Sequence, residues 1–94
     1  MSGGRASENR LRELLARVRE RLRHARSMDA ESREHLSAVV SDIDQTLEAG
    51  SAQHAAARAH AHRLESLAVR FEADHPGLAE VIREVIDALA RAGI

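Results

Sequence analysis

Six histidines and fifteen carboxylates are the residues of this 94-residue chain best equipped for chemistry. Imidazole and carboxylate together bind zinc or move protons. On a helix, such ligands share a face only at spacings of i,i+3 or i,i+4. His24, His35, His54, His60, His62 and His75 offer no His–His pair at either spacing. The mixed pairs Glu20/His24, Glu31/His35, His62/Glu65 and Glu72/His75 are of a kind that arises by chance in a chain rich in Glu. We therefore expect no metal ligand and read these histidines as solvated surface residues. His60 is the exception in placement. It projects near Leu64, Leu67 and Phe71, where a packed neutral imidazole is the simpler reading than a metal- or pH-responsive site with His62 and its neighbouring Glu. His75, directly before Pro76, is read as a turn residue.

Other chemistries have fewer candidates still. The chain has no Cys, which excludes disulfides, thiol nucleophiles and thiolate metal sites. All 14 strongly basic residues are arginine, so Schiff-base chemistry through lysine is excluded as well. Glu80 and Glu84 share a helical face but lie beside an apolar stripe, with nothing to mark a cleft that would shift their pKa values. Met1-Ser2-Gly3-Gly4-Arg5 follows no strand and matches no phosphate-binding loop. The expectation is a protein with no catalytic residue, no cofactor and no enzymatic activity.

The elements that position these residues are helical. Ala, Arg, Glu and Leu dominate, and only five Gly and one Pro interrupt the chain. Leu11, Leu14, Leu15, Val18 and Leu22 recur with the helical period and predict a first helix over about 8–26. Leu36, Val39, Val40, Ile43 and Leu47 predict a second over 29–49, capped by Ser27 or Asp29 and ended by Gly50. A third runs over 52–73, with Ser51 as its N-cap, an Ala-rich first half and a stripe of Leu64, Leu67, Ala68 and Phe71. Pro76 pre-sets a first helical position and disfavours helix at the residue before it, so a break falls at Asp74 or His75 and a fourth helix occupies 76–92. Gly93 and Ile94 supply a C-terminal cap.

The fold class expected is therefore all-α: an antiparallel hairpin of the first two helices plus two further helices, resembling a four-helix bundle and completed by oligomerisation, with packing of all four helices within one chain as the main competing arrangement. Residues 1–7 are expected to be a flexible N-terminus ahead of a single helical domain, 8–94. A chain this short buries a limited share of its surface, and small helical domains make up the deficit by association. The fourth helix carries the widest stripe, so Val81, Ile82, Val85, Ile86 and Leu89 are the candidate self-association residues, and the expected partner is a second copy or another protein.

Charge is segregated along the chain. Residues 1–27 carry a net +5 and residues 28–50 a net −5, against −1 overall. A basic helix thus precedes an acidic one across a short turn. Pairing of the two within the molecule is the plainer reading. The alternative is a nucleic-acid contact through Arg12, Arg17, Arg19, Arg21 and Arg23, driven by counterion release. Competition from the acidic helix and a single Phe, too few for base stacking, argue against it. The longest purely apolar runs are three residues, such as Ala55-Ala56-Ala57, and the N-terminus has no hydrophobic signal region. A cytoplasmic protein with no membrane contact is expected.

Three stretches carry a further likeness. Glu8-Asn9-Arg10-Leu11-Arg12-Glu13-Leu14-Leu15, Arg70-Phe71-Glu72-Ala73-Asp74-His75-Pro76 and the closing Val85-Ile86-Asp87-Ala88-Leu89-Ala90-Arg91-Ala92-Gly93-Ile94 resemble a family of short bacterial proteins, the domain-of-unknown-function family four-four-zero-four. Phe71-Glu72 followed by His75-Pro76, and the terminal Gly93-Ile94, are the most distinctive parts. The resemblance implies a small, free-standing, all-helical protein and carries over no catalytic residue, cofactor or substrate.

Overall fold

The computed structural model describes the backbone over residues 3–49 and 54–91 and side chains over 8–48 and 59–91. It contains four helices: α1 (Gly3–His24), α2 (Ala30–Ala49), α3 (His54–Phe71) and α4 (Pro76–Arg91). Helix α1 begins at Gly3, ahead of the expected start at Glu8, so most of the segment expected to be flexible is helical. Once a helix is nucleated, each added residue gains a hydrogen bond, which offsets much of the glycine penalty at its end. The expected caps at Gly50, Ser51, Gly93 and Ile94 lie outside the described residues.

Each helix packs against its two neighbours in the order α1–α2–α3–α4–α1, and neither diagonal pair approaches. Neighbours run antiparallel. Arg33 near the start of α2 reaches Leu22 near the end of α1, and Arg70 near the end of α3 reaches Ser32 near the start of α2. The four stripes meet in one interior: Leu11, Leu14, Leu15, Val18 and Leu22 from α1, Leu36 to Leu47 from α2, Leu64 to Phe71 from α3 and Leu78 to Leu89 from α4.

The expected antiparallel hairpin of α1 and α2 is present, but it is not the most extensive pairing. The broadest contacts are α3 with α4 and α1 with α4, while α1 against α2 is the sparsest. Helix α4 supplies Val81, Ile82 and Val85 flanked by the small Ala79 and Ala88, all buried, which allows close approach on both of its sides. Between α1 and α2 a groove of about 280 Å³ remains, lined by Arg19, Arg23, Arg33, Ser37 and Ser41 with Leu22 and Val40.

The same burial overturns the expected contact surface. Val81 (4% exposed), Ile82 (0%), Val85 (0%) and Leu89 (4%) are interior residues of a single chain, and only Ile86 is half-exposed. The widest stripe belongs to the helix that two neighbours cover, and width alone cannot separate that case from an open face. The described core is closed by one chain.

Local capping explains the boundaries. Asp29, rather than Ser27, caps α2: its carboxylate accepts the Ser32 amide at 3.2 Å. That hydrogen bonding holds the Asp29 pKa below the usual carboxylate value. At the α3–α4 junction the His75 amide donates to the Phe71 carbonyl at 2.7 Å, while the His75 carbonyl accepts from Ala79 at 3.0 Å. Pro76 is the first helical residue, as expected, and the His75 ring lies edge-on to Phe71 with centroids 6.1 Å apart.

Candidate functional site

The arginines of α1 lie beside the apolar stripe, in two rows. Arg12, Arg19 and Arg23, spaced i,i+7,i+11, follow the α2 side; Arg10, Arg17 and Arg21 follow the α4 side with the same spacing. Between the rows, on the face turned farthest from the core, the helix presents Asn9, Glu13, Ala16, Glu20 and His24, all exposed. The arginines thus flank the stripe on both sides rather than lying opposite it. Each row meets acids of a neighbouring helix. Arg19 pairs with Asp44 of α2, while Arg10 and Arg17 lie 3.7 and 4.0 Å from Glu84 of α4. Arg23 lies 3.8 Å from Glu20 on its own helix. Arg12 and Arg21 make no ion pair with a described residue. The five arginines of the nucleic-acid reading are therefore divided between two grooves, with two glutamates on the crest between them.

Arg33 has a role that the sequence did not disclose. Its guanidinium donates to the carbonyls of Leu22 and Ala25, both at 2.6 Å, and so satisfies carbonyls at the C-terminal end of α1. One planar fork serving two acceptors suits arginine. The partners stand eight and eleven positions away across the turn, a distance at which no local spacing rule operates.

The histidines are dispersed. His24 Nδ1 sits 2.9 Å from the Glu20 carbonyl oxygen and 3.6 Å from its carboxylate; His35 and His62 are exposed. The side chain of His54 lies outside the described residues. Among the described residues no three His, Asp or Glu side chains converge as metal ligands. His60 is buried in the stripe of α3, and its Nδ1 has no hydrogen-bond partner among the described residues. Burial pushes its pKa below the usual imidazole value, with Asp42 pulling it up and Arg63 adding to the downward push.

A cleft of about 580 Å³ opens where the end of α1 meets the start of α4 and is lined by Arg17, Glu20, Arg21, His24, His75 and Gly77, with Ala25 and Leu78. Gly77 lets the Arg21 guanidinium lie over the first turn of α4, since a Cβ there would stand 2.7 Å from Nη1. Glu20, engaged by Arg23 and His24, leaves the cleft of mixed charge. It holds no hydroxyl or thiol nucleophile for the histidines to activate.

The outer face of α3 and α4 differs from the rest of the surface. Val69 is 67% exposed, the one large apolar side chain left in solvent among the described residues. Beside it runs a groove of about 310 Å³ lined by Glu65, Ala68, Arg83 and Ile86. Arg83 pairs with Glu72 at 3.0 Å. Of the candidate self-association residues, Ile86 alone reaches this face. Val69 escaped the sequence reading because it lies one position beyond the stripe formed by Leu64, Leu67, Ala68 and Phe71. An apolar residue adjacent to a buried stripe has no separate signature in periodicity.

No described helix is long and apolar enough to cross a membrane. A family model, described as a domain of unknown function, matches residues 11–94 and therefore nearly the whole chain. No curated protein and no solved structure gives a match.

Proposed function

The chain belongs to the DUF4404 family, and we propose that it is a non-enzymatic cytoplasmic interaction module that associates with itself. One observation supports this reading above the others: with the four stripes covered internally, Val69 is the one large apolar side chain left exposed among the described residues, and the half-buried Ile86 lines the α3–α4 groove with it. The interior does not require a second copy, so association acts through the surface of an already folded chain. The α1–α4 cleft is lined mostly by the charged and imidazole side chains Arg17, Glu20, Arg21, His24 and His75, whereas small-molecule sites are lined predominantly by apolar and aromatic side chains. The nucleic-acid reading is the weaker one, because α1 turns its arginines into two grooves beside Asp44 and Glu84.

Light scattering behind a sizing column, over a concentration series, tests the proposal. A solution mass rising from one chain towards two supports self-association. The mass of a single chain at every concentration up to the millimolar range overturns it.

A further inference from the structure

The α3–α4 groove is lined by one acid, Glu65, and one base, Arg83, at opposite corners of its apolar centre, with Glu72 paired to Arg83 at the groove's edge. Helices α3 and α4 are antiparallel, and Arg83 pairs with Glu72, less than one turn beyond Val69. In this antiparallel pair Val69 and Arg83 lie towards the α3–α4 turn, while Glu65, one turn earlier on α3, and Ile86 lie farther from it. Glu65 and Arg83 occupy one diagonal of the patch, and Val69 and Ile86 occupy the other. Glu65 has no ion-pair partner among the described residues.

A two-fold axis along the Val69–Ile86 diagonal turns this pattern onto itself. It sets Val69 against Val69 and Ile86 against Ile86, and it exchanges the other two corners. Resting on the self-association reading, we propose that the α3–α4 face is the contact surface of a two-fold dimer, in which Glu65 of each chain pairs with Arg83 of the other around an apolar centre of Val69 and Ile86. A two-fold contact must be self-complementary, as this patch is. A partner charged with a single sign would meet one favourable and one repulsive corner. The patch is small, and contacts burying less than about 1,200 Å² in total belong to weak, reversible complexes. The dimer is accordingly concentration-dependent.

Charge reversal provides the test. Glu65→Arg places cations at both corners and Arg83→Glu places anions at both. Each variant alone repels itself, whereas one chain of each kind is complementary at both corners. Sedimentation velocity is run on the wild type, on each variant and on their equimolar mixture, with far-UV circular dichroism to check folding. Both substitutions are at exposed positions, so helicity is retained. Each variant alone should dimerise at least about tenfold more weakly than the wild type, and the mixture should recover the wild-type level. Val69→Glu should weaken the dimer by a similar factor or more and should resist rescue by mixing.

A wild type that stays monomeric overturns both this surface and the self-association reading. A wild-type dimer indifferent to Val69→Glu and to both reversals leaves that reading standing and overturns the surface. Variants that weaken the dimer without rescue in the mixture overturn the two-fold pairing of Glu65 with Arg83.

Discussion

Arg33 belongs to α2 in sequence and to the end of α1 in energetics. Its two 2.6 Å hydrogen bonds reach the Leu22 carbonyl, which also accepts the Ala25 amide at 3.3 Å, and the Ala25 carbonyl just past the end of α1. Hydrogen bonds to charged groups contribute about 1.5–3 kcal/mol, so Arg33→Met should lower the unfolding free energy by an amount in that range, measured by urea denaturation. Arg33→Lys should recover only part of the loss, because a single ammonium cannot reproduce the planar fork. His60 and Asp29 make stability depend on pH in two separate windows. The His60 pKa is lowered in the folded state, so its contribution is complete above the unfolded value near 6.5 and declines as pH falls from there towards the folded pKa. Asp29 is also lowered, and its contribution persists until the pH drops below the ordinary carboxylate value of 3.8. Denaturation midpoints between pH 7 and 5 should fall for the wild type and stay flatter for His60→Phe, which removes the titrating group. The placement of His60 and the cap at Asp29 were legible in the sequence, since both follow from local spacing. The guanidinium of Arg33 was not, because its partners are set by the way the turn folds back.

Among the elements, α4 organises the interior. Ile82 is fully buried between two neighbouring helices, and replacing it by Ala leaves a cavity costing about 2–5 kcal/mol. Ile82→Asp buries an unpaired charge, and the expected result is loss of the cooperative thermal transition rather than separation of folded chains. A folded monomer with wild-type helicity after Ile82→Asp would return α4 to the surface. Helices were legible wherever large apolar residues recur with the helical period, and the start of α4 was legible to the residue through Pro76. The order of packing was not. Which stripe faces which depends on side-chain size and on charges from distant segments, such as Glu84 meeting both Arg10 and Arg17. The start of α1 was missed because Gly3 and Gly4 disfavour helix locally, while extension of an existing helix tolerates them.

At the scale of the molecule, the chain closes its four stripes into one interior and divides its charge so that the basic α1 is flanked by acids of α2 and α4. Such a surface offers no large field of either sign, and its individual exposed pairs contribute about 0–1 kcal/mol each. Among the described residues the one large apolar side chain exposed to solvent is Val69, beside the α3–α4 groove. All-helical architecture was legible from composition and period together, and so was the need to cover every stripe. Whether a second copy covers them was not legible, because amphipathic patterns look alike in a closed bundle and in an open hairpin that dimerises. The proposed weak association of the folded single chain through the α3–α4 face is tested most directly by the solution mass of the wild-type protein, measured by light scattering from micromolar to millimolar concentration. The expected mass is one chain at the lowest concentrations, rising smoothly towards two. A mass of one chain throughout would contradict it, and so would an oligomer that persists undiminished at the lowest concentration, since that would place the association in the core.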